Sequence, residues 1–468
     1  LARKGISMSC KLRISGIHYR ELKQYLYPGD GKEAIAIGLC GRLTLKDETI
    51  FTVHKIFPIP YSDCIVREEL FLDWKTDRIQ PILVEAEKNG YSVLKIHSHP
   101  SGYSNFSNTD DDSDLKLFES VFGWTLNTKN HLSAIMVPDG RILGRIIDDK
   151  LTFHAISSVS IISDDIKRFE QNNDEGLQKR EVDIRNIQAF GEGTYQILKK
   201  MSVAVIGCSG TGSPVIEQLA RLGIGKLVLV DPDVVEEKNL NRIINATQED
   251  AVKRRHKVEV LKNAIMSFGF GTEVTTYSDN LYNNMEAIKT VASCDFIFGC
   301  VDTVDGRHLL NLISNYYLTP LLDIGVRLDA DGKGGIESIH GTVNYVTPGR
   351  ASLLKRGLYT PEDLLSAGEL RKNPEHYANL EKEKYLKKAK TDSPAVISVN
   401  MFYASLAVND FLARIHPFRI EPNNKYSIQR FVLSDPMYLA EEVEEDKLFI
   451  KTIGKGDISP LLGLPELS

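Results

Sequence analysis

The chain has 468 residues, long enough for two or three domains, and its 42% hydrophobic and 26% charged content is that of an ordinary globular protein. A net charge of −6 argues against a dedicated nucleic-acid binder, whose footprint would be basic, and no apolar run approaches the roughly 18 residues of a membrane span. The six cysteines (Cys10, Cys40, Cys64, Cys208, Cys294 and Cys300) include no CxxC pair, so neither a cysteine zinc site nor a disulfide framework is indicated, and the expected setting is reducing and cytoplasmic. The N-terminal stretch has no hydrophobic core of a signal peptide, and Met8 is read as the start, with Leu1 to Ser7 an added remnant.

In chain order, KEAIAIGLCGRL (32–43) and TIFTVHKIFPIP (49–60) read as strands. Residues 78–89 read as a helix, SVLKIHSH (92–99) as a strand and 113–123 as a second helix. HLSAIMVPDGRILGRII (131–147) predicts a hairpin turning at Asp139-Gly140. The polar stretch 170–180 is the expected linker. The second half opens with a strand–turn–helix over 201–223, then a strand at 226–231, a helix around 255–268, a strand at 294–302 and a helix around 306–316. Such alternation predicts a doubly wound, mostly parallel α/β sheet. Residues 370–393 are densely charged, 394–412 read as a buried helix, and 420–468 carry no readable motif.

KIHSHPSGYSNFSNTD (95–110) carries the first chemical signal. Alternate residues of a strand face one side, so His97 and His99 can reach one point. Asp110 could supply a third ligand, leaving a catalytic zinc one open position for water. A hydroxyl beside such a metal could steady an oxyanion, which suits Ser107. The pattern H-S-H-P-x6-S-x-x-D resembles that of the JAB/MPN (JAMM) metalloproteases, which cleave bonds after ubiquitin-like proteins. The resemblance covers about residues 8–165. It implies a cytidine-deaminase-like fold with zinc on His97, His99 and Asp110, Glu33 of KEAIAIGLCG as acid/base, and Ser107 on the tetrahedral intermediate. An inactive relative that keeps the ligands would show the same residues, and His97 and His99 at a strand end with a Ser107–Asp110 helix cap is the plain alternative.

The second signal is VAVIGCSGTGSPVIEQL (203–219). Gly207, Gly210 and Gly212 let the backbone approach a phosphate at a helix N-terminus, and Asp231 ends the next strand where an acidic residue binds a ribose hydroxyl. Alone, this would suggest a dinucleotide-binding domain. The continuation DPDVVEEKNLNRI (231–243), RRHKVEVLKNAI (254–265) and CVDTVDGR (300–307) is similar to the ThiF/MoeB/ubiquitin-activating superfamily, over about residues 180–415. That resemblance implies ATP and magnesium as cofactors and adenylation of the C-terminal glycine of a ubiquitin-like or sulfur-carrier protein. It places Asp231 on the ribose, Asn239, Arg242 and Lys257 on the phosphates, and Asp302 on magnesium and the triphosphate. It also implies a homodimer in which Arg185 reaches ATP from the partner subunit.

The chain departs from that superfamily in having neither its thioester cysteine nor its two CxxC pairs. TPGRASLLKRG (347–357) stands where the first pair is expected, with Ser352 and Lys355 instead, and no cysteine follows Cys300. The resulting expectation is a two-domain enzyme, 8–165 a JAMM (iso)peptidase and 180–468 an adenylation domain, both acting on one ubiquitin-like tail, with no nucleic-acid or membrane partner. The alternatives are processing and activation of a sulfur carrier, and a non-catalytic scaffold for a ubiquitin-like protein.

Overall fold

A computed structural model describes residues 9–126, 129–171, 180–382 and 396–468. The first sheet has nine strands. Their spatial order is Lys167–Glu170, Ser158–Ile162, Ser9–Ser15, Glu48–Pro58, Ile35–Thr44, Ser92–Ser98, His131–Met136, Ile142–Ile147 and Phe153–Ala155. Ser92–Ser98 is buried along its whole length between Ile35–Thr44 and His131–Met136. Side chains alternate across the sheet. Ile35, Ile37, Leu39 and Val93 pack with helices Gln80–Asn89 and Asn108–Thr125, whereas Ala36, Cys40, Leu94 and Ile96 pack with helix Gly16–Leu26.

The expected hairpin pairs His131–Met136 with Ile142–Ile147 across Asp139-Gly140, and Gly140 has φ +89. Sequence reading placed two helices in this half, and the structure adds Gly16–Leu26. Ser15 caps it by accepting the His18 N–H, and His18, Tyr19, Leu22 and Leu26 form its buried face. The helix expected at 113–123 begins earlier, at Asn108. The first sheet also continues past residue 165, into Lys167–Glu170. Most of the expected linker, residues 172–179, lies outside the described residues.

The second sheet has eight strands. Glu273–Tyr277, Lys226–Val230, Ser202–Ile206, Phe296–Gly299 and Leu321–Ala330 run parallel, a Rossmann-like arrangement. Ile336–Val346, Ile428–Val432 and Met437–Glu441 extend it antiparallel. The strand expected over 294–302 is shorter, Phe296–Gly299, because Cys300 begins the turn into helix Val304–Tyr317. The buried helix is Ile397–Ile415, lying across the sheet with Tyr403, Ala404, Ala407 and Phe411 in its core. The charged stretch is described up to Lys382, as helices Pro361–Lys372 and Pro374–Lys382; residues 383–395 lie outside the described residues. Among the described residues no helix is long and apolar enough to cross a membrane.

The two halves meet through polar contacts. Arg13, buried in the first sheet, donates to the carbonyls of Ala292, Ser293, Cys294 and Tyr317 and to Thr319 Oγ1, at 2.7–3.0 Å. Three of those carbonyls lie at the end of helix Met285–Ser293, where a cation also meets the helix dipole. Arg168 pairs with Asp295 at 2.8 Å, and Arg414 of the buried helix accepts the Ile166 N–H on its own carbonyl. The motif-free C-terminal residues complete the seam. The carbonyl of Gly454 accepts from Gly41 N–H and Thr52 Oγ1, that of Ile453 contacts His54 Nδ1, and Asp457 binds Lys289 and Tyr317. A Cβ on Gly454 would lie 2.3 Å from the Val53 carbonyl oxygen, so only glycine lets the chain pass.

Arg13→Leu would strand several buried carbonyls at once and is expected to lower stability by about 3 kcal/mol. Urea unfolding of the full chain reads this as a shifted midpoint, and an unmoved midpoint would show that the clamp contributes nothing.

Candidate metal and nucleotide sites

The first site lies where strand Ser92–Ser98 ends. His97 and His99 face helix Asn108–Thr125, whose N-cap is Ser107. Ser107 and Asp110 form a capping box. The Ser107 N–H and hydroxyl both donate to Asp110 Oδ2 at 2.7 Å, and the Asp110 N–H donates back to Ser107 Oγ at 3.2 Å. This fixes Asp110 with Oδ1 2.9 Å from His97 Nε2 and Oδ2 3.5 Å from His99 Nε2, while the two Nε2 atoms are 3.0 Å apart. The three donor atoms therefore lie within 4.8 Å of one another.

This donor set fits a zinc ion: two imidazoles and one carboxylate converge, and His99 Nδ1 is 2.8 Å from the Tyr103 carbonyl oxygen. Such a contact puts the proton on Nδ1 and leaves the Nε2 lone pair facing the cluster. Burial lowers the pKa of His97, which favours the neutral ring a metal requires. Burial raises that of Asp110, but its hydrogen bonds to His97 and His99 outweigh this and hold the carboxyl well below the usual range. Glu33 precedes strand Ile35–Thr44, beside the cluster. It is buried, and burial, with the negative charge of Asp110 adding to it against His99 and Lys95, pushes its carboxyl up to about 7. The structure thus brings Glu33, His97, His99, Ser107 and Asp110 together, with the Ser107 hydroxyl engaged by Asp110.

The second site lies at the carboxyl end of the parallel strands. Gly207 has φ +91, and a Cβ there would sit 2.5 Å from the Cys300 carbonyl oxygen; a Cβ on Gly212 would sit 1.8 Å from that of Gly207. The loop is thus closed against the end of strand Phe296–Gly299 and opens helix Gly212–Arg221. Asp231 Oδ2 accepts the Cys208 N–H at 2.7 Å and Oδ1 accepts the Asp233 N–H at 2.9 Å. Burial raises its pKa. Lys257, itself buried, reaches Asp233 at 2.7 Å and Asp231 at 3.6 Å. The Arg242 side chain passes beside Gly210, and its guanidinium donates to the Lys238 carbonyl at 2.8 Å. Asn239 is buried and accepts the Glu236 N–H. Asp302 is exposed two residues past Cys300.

Arg185 is not drawn into this group; it is exposed and bonds to Gln188 at 3.1 Å. Two neighbours of the site escaped sequence reading. Asn400, at the start of the buried helix, lies against Gly210, and Asp233 is the first partner of Lys257. The D-x-D spacing could have singled out Asp233, whereas Asn400 is 190 residues from the loop and carried no local signal.

Cys10, Cys40, Cys208 and Cys294 are buried, and burial pushes the Cys300 thiol well above its ordinary value. No cysteine is set up as a nucleophile among these. Incubation with ATP, magnesium and a ubiquitin-like protein is expected to give no thiol-sensitive adduct on a non-reducing gel; an adduct would show that one of the six cysteines, half-buried Cys64 included, carries a thioester. The segment around Ser352 is held without cysteines. Ser352 Oγ donates to Asp446 at 3.0 Å, Arg350 pairs with Asp164 at 3.1 Å, and Arg356 donates to the carbonyls of Ser427 and Tyr345.

The parallel sheet with a glycine loop and the Asp231–Lys257 group at its carboxyl end define an α/β protein of the Rossmann-like class. The sequence profile of the ThiF family matches residues 183–433, more than half of the chain, and the chain belongs to that family. Among curated proteins it is 27% identical to the ubiquitin-like modifier-activating enzyme 5 of Caenorhabditis elegans, over 34% of this chain and 38% of that one. It is 31% identical to the adenylyltransferase and sulfurtransferase UBA4 of Debaryomyces hansenii, over 33% of this chain and 34% of that one. The chain thus spans little more than a third of the length of these relatives. Among solved structures it is similar to E. coli MccB with ATP, at 19% identity and a TM-score of 0.43, covering 58% of this chain and 74% of that one.

Proposed function

We propose that the second half activates the C-terminal carboxylate of a ubiquitin-like or sulfur-carrier protein by adenylation. The observation that carries this reading is the glycine loop closed on the strand end, with Arg242 beside it and buried Lys257 behind, in a chain of the ThiF family. In the reaction a carboxylate oxygen of the tail attacks the α-phosphorus of ATP, and the bond to the β-phosphate oxygen breaks to release pyrophosphate. Negative charge grows on the phosphates, and Arg242, Lys257 and Asn239 are the groups assigned to meet it. Asp302 is assigned to the magnesium that accompanies the triphosphate, and Asp231 to the ribose. The chain is proposed to work as a homodimer, with exposed Arg185 completing the site of the partner subunit. The test is ATP–pyrophosphate exchange with a panel of ubiquitin-like proteins ending in Gly-Gly. Exchange is expected only with the cognate protein, and failure across the panel with folded enzyme removes the assignment.

For the first half, we propose a JAB/MPN zinc peptidase that trims the same class of tail. Its support is the convergence of His97, His99 and Asp110, with Glu33 buried beside them. Zinc held by these three residues would supply a water acidic enough to be a nucleophile near neutral pH. Glu33 is assigned to take up and return the proton, and Ser107, whose hydroxyl bonds to Asp110, is assigned to the tetrahedral intermediate. The lack of any cysteine after Cys300 favours, as a second reading, a sulfur-carrier pathway in which the peptidase only exposes the terminal glycines.

A further inference from the structure

A buried ion-pair network lies one step below the metal ligands, and of its members only Lys95 has entered the account so far, through its charge near Glu33. Lys95, only 3% exposed, donates to Asp114 Oδ1 at 2.7 Å and to Ser113 Oγ at 3.1 Å. Asp114 is fully buried and also receives Arg145, through Nη2 at 2.7 Å and Nε at 3.3 Å. Arg145 Nη1 binds Asp111 on the same helix. Its guanidinium is sandwiched between the rings of Phe106 and Phe153, 3.9 and 3.7 Å from their centroids.

The spacing relates this network to the ligands. Lys95 precedes His97 by two residues on the strand, so the two share a face about 7 Å apart. Asp114 follows Asp110 by four residues on the helix, so they share a face about 6 Å apart. Lys95–Asp114 and His97–Asp110 are therefore successive rungs between one strand and one helix. A shift of the helix along the strand breaks both rungs together. Apolar burial by helix Asn108–Thr125 begins at Leu117 and continues through Phe118 and Val121, whereas the turns nearest the ligands carry Asp110, Asp111 and Asp114, so polar contacts seat that end.

We infer that Asp114, gripped by Lys95 and Arg145, is a positioning residue that sets the register of the helix and so places Asp110 against His97 and His99. The inference rests on the zinc reading of that cluster. Replacing a salt-bridged carboxylate with an amide of equal size keeps the volume but not the grip of two cations. Asp114→Asn is therefore expected to weaken zinc binding by 10- to 100-fold, the range for partners that orient ligands.

The experiment measures zinc affinity of the full chain by chelator competition, well below the unfolding transition, with circular dichroism as the check on folding. Cobalt substitution adds a spectroscopic signature of the ligand set. In a folded Asp114→Asn chain, zinc affinity within twofold of the wild type and an unchanged cobalt spectrum would overturn the inference. Should that chain not fold, Arg145→Lys serves in its place. It keeps the charge but loses the fork and the ring sandwich, and is expected to weaken zinc by several-fold; unchanged affinity again overturns the inference. A folded wild-type chain that takes up no zinc removes the metal reading itself, and the inference falls with it.

Discussion

On the proposed adenylation reading, Lys257→Ala is expected to reduce ATP–pyrophosphate exchange by about 100- to 1,000-fold, because this buried cation would meet developing phosphate charge where water cannot replace it. Two effects combine. The positive charge is lost, and Asp231 and Asp233 lose the cation between them, so the nucleotide pocket becomes more negative where phosphates must enter. Asp302→Ala is expected to abolish exchange as well, but by a separable route. Asp302 is exposed, so its removal leaves the fold intact and is partly offset by raised magnesium, whereas the Lys257 loss is not. Exchange kinetics across a magnesium series distinguish the two. An unaffected rate in either variant would remove that residue from the site.

On the proposed peptidase reading, Glu33→Gln is expected to slow cleavage of a ubiquitin-like protein extended past Gly-Gly by about 100- to 10,000-fold, with zinc uptake unchanged. His97→Ala is expected to lose both zinc and cleavage. The contrast follows from geometry: His97 Nε2 is one of the three convergent donors, whereas Glu33 is buried beside them and outside the set. Metal content by atomic absorption, read with the cleavage rate, tests the division of labour. A Glu33→Gln chain that cleaves at the wild-type rate would take the proton-transfer role from that residue, and a His97→Ala chain that keeps its zinc would take the metal from this site.

The candidate sites were legible because their determinants are local. His97 and His99 obey the two-residue period of a strand, Ser107 and Asp110 the spacing of a capping box, and Gly207, Gly210 and Gly212 the turn between a strand and a helix. The mostly parallel character of the second sheet was also legible, through strands alternating with helices, but its strand order was not. What stayed hidden depends on contacts far apart in the chain. Arg13 reads as one more basic residue in a segment with no assigned element until residues 292–319 are folded against it. Residues 443–468 act largely through backbone carbonyls and amides, such as those of Ile453 and Gly454, which leave no side-chain pattern. The antiparallel extension through Ile336–Val346 also went unread, although Asp331-Gly332 and the alternation of Val326 and Leu328 before it and Val343 and Tyr345 after it carry a hairpin signal.

The seam between the halves carries one more consequence. Gly41, which touches the C-terminal segment, and Ile35, which pairs with His97, are six residues apart on one strand, about 20 Å. On the other side, Arg414 meets the first half while Asn400 touches the nucleotide loop, fourteen residues and about 21 Å away on one helix. The seam also grips the starting ends of the parallel strands, at Asp295 and Ser202, and the glycine loop lies at their finishing ends. Each candidate site therefore lies about 20 Å from the seam along its own strand or helix. On the proposed reading, a tail trimmed at the first site must leave it and cross the seam before it can be adenylated at the second. It is then free to exchange with mature tails in solution, so added mature protein is expected to compete with newly trimmed material.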